Sequence, residues 1–244
     1  MESVTTFGRS GLFFITAIYY VFRPPYRFSR ILSEIEFIGA KSFLIVFVTA
    51  IFTGMVLGLQ GYYTLNKFGA DAMLGAGVAL SIVRELGPVL CALMVAGRAG
   101  SAITAEIGIM KITDQVPALE MMAIDPVQFI ISPKIVAALI SLPILTAFFD
   151  LVGILGGYIV GVNLLGINEG SFFGQMVSLT TWPDIYGGLI KSVCFGGLIS
   201  WICCFVGFNA TATTEGVSKA TTNAVVISSI TILMSDYILT SVLL

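Results

Sequence analysis

Arg84 and Glu85 stand side by side within residues 74–93, LGAGVALSIVRELGPVLCAL, a stretch otherwise apolar enough to cross a membrane. A charge at the bilayer centre costs about 2.5–3.5 kcal/mol on insertion scales. Neighbouring residues of an α-helix point about 100° apart, so the two charges cannot hide simply by facing each other. At least one must meet a partner helix or a wet cavity, which makes the pair a candidate site. Asp150 is a second ionisable group inside an apolar run, beside Gly153, Gly156, Gly157 and Gly161. The chemistry open to Arg84, Glu85 and Asp150 includes an ion or proton relay, so a carrier coupled to an ion gradient is one reading.

The elements that must hold these groups are membrane helices. Of 244 residues, 57% are hydrophobic and 11% charged, where a soluble domain carries roughly 25% charge. The 26 glycines suit closely approaching transmembrane helices. A net charge of −2 gives no reason to expect nucleic acid. Histidine is absent, which removes the commonest general base and metal ligand. Cys91, Cys194, Cys203 and Cys204 lie in apolar runs without metal-site spacing and read as reduced, packed thiols. We therefore expect no catalytic residues, no metal and no cofactor. No glycine-rich phosphate loop is present, so the chain is not itself a P-loop ATPase.

Along the chain, residues 11–22 form an apolar run too short to span about 30 Å. Pro24 and Pro25 end it and Arg9, Arg23, Arg27 and Arg30 flank it, so residues 1–35 read as a helix lying in the interface. Residues 42–63 are long enough to cross. Gly54, Gly58 and Gly61 share one face there, continued by Leu57, Leu65 and Phe68, with Gln60 as a polar neighbour. That face is either a packing seam or a helix end opening into a cavity. The third run, residues 74–110, exceeds one span, and Pro88 is its natural kink. Ala96, Gly100, Thr104 and Gly108 form a small-residue ridge for close contact within or between protomers.

Three prolines punctuate residues 111–133, with a short helix expected at 118–124 carrying Met121 and Met122. Residues 134–162 form a fourth span, 163–184 a mixed loop, 185–208 a fifth span, 209–222 a loop and 223–244 the last span. Trp182 and Tyr186 read as interface anchors. The fold class is thus all-α and polytopic: an interfacial N-terminal helix, five transmembrane helices from residue 42 to 244, and a short cytoplasmic helix, in one membrane domain. Most basic residues fall on one side if the N-terminus is cytoplasmic, which places the C-terminus outside.

Several ordered blocks carry a resemblance. RELGP at 84–88 is followed by AGRAGSAITAEIG at 96–108, EMMAIDP at 120–126 and ISPK at 131–134, with GMVLGLQGY at 54–62 before them. Together they resemble the MlaE/YrbE family, the permease subunits of MCE-type ABC lipid transporters. The likeness runs from TFGR at 6–9 to SKATT at 218–222, although Pro117 departs from the usual form of its block.

The resemblance implies a homodimeric permease in a bacterial inner membrane. Its partners would be cytoplasmic ATPases that consume the ATP, a periplasmic MCE-domain hexamer and a small accessory cytoplasmic subunit. Its cargo would be phospholipid, moved in a pathway that keeps the outer membrane asymmetric. Leu57, Gln60, Leu65 and Phe68 would then line the lipid pocket. Arg84 would take the phosphate through its planar fork, with Glu85 holding or neutralising Arg84 between cycles, the alternative being an Arg84–Glu85 network that only locks the dimer. Glu120, Met121, Met122 and Asp125 would couple the permease to its ATPase.

Overall fold

In the computed structural model, residues 28–243 are described throughout, together with residues 8, 11, 13, 15–17 and 19–21, which are helical. Pro24 and Pro25, expected to end the N-terminal helix, lie outside the described residues. Helix α1 covers Phe28–Ile38, and a short 3-10 turn at Ala40–Ser42 leads into α2, Phe43–Asn66. The third helical path runs through α3 (Leu74–Ser81), a π turn (Ile82–Leu86), α4 (Gly87–Val95), a second π turn (Ala96–Gly100) and α5 (Ser101–Ile112). Then come α6 (Gln115–Met121), α7 (Ser132–Tyr158) between two π turns, α8 (Glu169–Leu179), α9 (Trp182–Phe208) and α10 (Thr214–Leu243). Among the described residues, five helical stretches are long and apolar enough to cross a membrane.

Three boundaries and one kink depart most from expectation, each for a local reason. Residues 163–184 are not a loop throughout, because they contain α8. Gly166, at φ +74°, turns the chain, and the Asn168 side chain accepts the Ser171 N–H and so caps α8. Helix α6 begins three residues before the expected 118. Pro117 falls in its first turn, where a missing N–H breaks nothing. The last helix starts at Thr214 rather than 223. Its polar first turns carry Glu215, paired with Lys219 one turn on. The disturbance caused by Pro88 is not a simple kink at that residue but the π turn just before it.

The chain divides into two compact units. The first comprises residues 1–41, 95–141 and 196–234. Here the small-residue ridge is buried inside the protomer: Gly100 faces Cys203 and Ile199, Thr104 donates to the Cys203 carbonyl at 3.0 Å, and Gly108 faces Val217. Lys134 lies at its centre between Glu34 (2.8 Å) and Glu106 (2.7 Å), its side chain only 1% exposed.

The second unit comprises residues 42–94, 142–195 and 235–244. In it α2 and α7 meet backbone to backbone. A Cβ at Gly54 would collide with the Gly153 carbonyl, and one at Gly58 would lie 3.0 Å from the Gly157 carbonyl. The shared face read from the sequence is therefore a seam at Gly54 and Gly58. Beyond it, Gly61 turns to Leu74 and lines a cavity.

Candidate functional site

The charged cluster of the second unit starts from a proline. Pro88 has no N–H, so the carbonyls one turn before it lose their helical donor. The backbone widens into the π turn, in which the Gly87 N–H reaches back to Ile82. Helix α9 makes up the shortfall. The Lys191 ammonium donates to the Arg84 carbonyl at 3.0 Å, standing in for the missing N–H. Gly188 lies so close to the Val83 carbonyl that a Cβ there would overlap it.

Lys191 also donates to Glu85 Oε2 (2.8 Å) and Thr240 Oγ (2.6 Å), and pairs with Asp236 at 3.2 Å. Its side chain is 4% exposed. Glu85 therefore does not hold Arg84, as expected, but is held by Lys191. Arg84 turns the other way, and both its Nε and one terminal nitrogen lie 2.7 Å from Asp184 Oδ1. The other Asp184 oxygen accepts the Thr181 N–H and hydroxyl, each at 2.8 Å. The reason is geometric. Arg84 and Glu85 point in different directions from one helix, so each takes its partner from a different neighbour.

Two cations thus face three carboxylates. Such a cluster is not a plain trap for anions, and a phosphate arriving at Arg84 must compete with Asp184. A cavity of about 240 Å³ opens beside it, lined by Arg84, Glu85, Asp184, Lys191 and Thr240.

One turn earlier on the same helix path a second cavity begins. It measures about 360 Å³, and Leu57, Gln60, Gly61 and Leu65 of α2 face Leu74, Val78 and Ser81 of α3 across it. Three of the four residues expected to hold lipid tails or heads here, Leu57, Gln60 and Leu65, share this cavity. Phe68 is 81% exposed and stands outside its lining. Arg84 and Glu85 line the neighbouring charged cavity instead.

The family model for the permease MlaE matches residues 31–242. This chain belongs to the MlaE permease family. The chain is 45% identical to the intermembrane phospholipid transport system permease protein MlaE of Haemophilus influenzae, over 97% of its own length and 91% of that protein's. A probable ABC transporter permease of Rickettsia bellii is 42% identical over 96% of this chain and 90% of that protein. The chloroplastic protein trigalactosyldiacylglycerol 1 of Arabidopsis thaliana is 34% identical over 86% of this chain and 60% of that protein.

In this MlaE-family chain the expected coupling residues are split by environment. Glu120, Met121 and Met122 are exposed around the end of α6, Met121 by 84%. Asp125 instead holds the local fold: it accepts the Tyr20 hydroxyl at 2.6 Å and the Val127 N–H at 2.8 Å. The sequence reading missed Asp184, Lys191, Asp236 and Thr240. A signal was there. Asp184 and Lys191 are two helical turns apart, hence on one face, in a run otherwise apolar, and Asp236 and Thr240 repeat the pattern at one turn.

Proposed function

We propose that this permease is the transmembrane subunit of an ABC transporter moving phospholipid between the bacterial inner membrane and a periplasmic MCE-domain hexamer, in a pathway that maintains outer-membrane asymmetry. Two copies form the membrane unit. ATP is hydrolysed by separate cytoplasmic subunits that dock on the Glu120–Met121–Met122 edge, with a small accessory subunit behind them. The chain itself is non-catalytic, with its N-terminus cytoplasmic and its C-terminus periplasmic.

The observation that carries this reading is the pairing of an apolar cavity with a charged one on successive turns of a single helix path. Tails have a place between Leu57 and Leu74, and a zwitterionic head has both signs of charge at Arg84, Lys191 and the three acids. The names of the relatives support the cargo. The ion-carrier alternative has less to stand on. Among the described residues no hydrogen bond joins Asp150 to Glu85 or Arg84, which are held instead by Lys191 and Asp184.

The test is ATP-driven transfer of labelled phospholipid by the permease reconstituted with its ATPase and MCE partners. Transfer is expected to require ATP and to survive collapse of the proton gradient. Gly77 lines the apolar cavity, and a Cβ there meets open space. Gly77→Phe should therefore fill the cavity and suppress transfer while the partners still co-purify. Transfer driven by a proton gradient without ATP would overturn the reading.

A further inference from the structure

The second unit has a larger cavity, of about 560 Å³, which takes no part in the site above. Leu151, Ile154 and Val177 are among its walls, Trp182 is at its edge, and Asp150 and Thr180 are its polar members. Leu151, Val177 and Trp182 are exposed, so the chamber opens on the outer face of two stretches able to cross a membrane and of α8 between them.

Asp150 is unusual in three respects. Its Oδ1 is shut off from solvent and has no hydrogen-bond partner. It lies directly on Gly87, where a Cβ would take its place. It also faces no cation: Arg84 is held by Asp184, Lys191 by Glu85 and Asp236, and no lysine or arginine lines the chamber. The Thr180 hydroxyl is likewise buried without a partner. Buried polar atoms in an apolar setting are costly unless they are hydrogen-bonded. With one oxygen closed against Gly87, the chamber is where the other carboxyl oxygen can meet a hydrogen-bonding partner.

We infer that this chamber binds a single-chain amphiphile whose head donates hydrogen bonds and carries no negative charge, a long-chain ammonium or alcohol. The chain lies along Leu151, Ile154 and Val177 and the head meets Asp150. The volume falls within the range of small-molecule sites, about 300–1,000 Å³. A carboxyl group with no cation beside it, with or without its proton, gives a phosphate or carboxylate head no counter-charge. The ligand therefore differs in class from the proposed cargo.

The test uses the full chain in phosphatidylcholine nanodiscs and three photoactivatable probes with the same alkyl chain, ending in an amine, an alcohol or a carboxylate. Labelled peptides are mapped by mass spectrometry. The amine and alcohol should label residues 147–154 and 176–185 about ten-fold more than the carboxylate. Asp150→Asn supplies an amide donor at the same place and should raise carboxylate labelling to the level of the others. Val177→Trp, at an exposed wall, should lower labelling by all three. Equal labelling by the three probes in the parent, discrimination that persists in Asp150→Asn, or labelling indifferent to Val177→Trp would overturn the assignment. So would a photo-crosslink from position 151 into a protein partner of the assembled complex.

Discussion

Each unit of the chain buries a lysine between two acids, and the two lysines do different things. Lys134 meets Glu34 and Glu106 by side chains alone. Lys191 meets Glu85 and Asp236, but it also donates to a hydroxyl and to the backbone of a helix that a proline has interrupted, and it lines a cavity. A buried ion pair is weak evidence of stability in itself. The added partners make the difference: Lys134 joins side chains, whereas Lys191 also fixes the main-chain register from which Arg84 and Glu85 project.

The sharpest way to break this comparison is to remove both lysines in turn. Lys134→Met and Lys191→Met should each cost about 1–3 kcal/mol, because each leaves two half-buried carboxylates without their cation. Neutralising the acids should then separate them. Lys134→Met with Glu34→Gln and Glu106→Gln should recover both the thermal midpoint and phospholipid transfer. Lys191→Met with Glu85→Gln and Asp236→Asn should recover the midpoint only in part, because the Arg84 carbonyl still lacks its donor, and should not recover transfer. Equal recovery of transfer in both would end the distinction.

A smaller contrast lies in the glycine contacts. Gly54→Ala drives a methyl into the Gly153 backbone, which cannot rotate away, and should cost about 1–3 kcal/mol. Gly100→Ala meets the Cys203 sulfur at 2.8 Å, a side-chain atom that can yield, and should cost less. Thermal unfolding of the two variants checks the order.

Arg84→Lys keeps the charge but loses the two-nitrogen grip on Asp184. Because Arg84 is partly exposed, the loss should be about 1 kcal/mol, seen as a modest fall in transfer with assembly intact. The smallest effect is expected at Ala123, whose φ of +57° favours glycine. Ala123→Gly should raise stability by roughly 1 kcal/mol or less.

The five spans were legible because their apolar runs are long, and the ridge from Ala96 to Gly108 because a period of four shows on one line of text. The helix α8 was not, since its apolar face, with Phe172 buried, is short and its signal rests on the Asn168 cap. The start of α10 was hidden by polar residues that suit a first turn as well as a loop. At the site, Arg84 and Glu85 could be picked out as charges in an apolar run. Their partners could not be assigned, because adjacency in the chain suggested a mutual pair while the helix sends the two side chains apart. Asp184 and Lys191 become visible only when the same rule is applied to every apolar run.

The stand-in role of Lys191 has a mechanical consequence. A helix that completes its own ladder can be displaced as an independent rod. Here one rung of the path through Pro88 is supplied by a nitrogen that belongs to α9. Withdrawing α9 strips the Arg84 carbonyl of its donor, and straightening the π turn leaves the ammonium without its acceptor. This rung joins α9 directly to the main chain of the Pro88 path, beside the side-chain pairs that also link them, so force applied to either helix is felt at once in the backbone of the other.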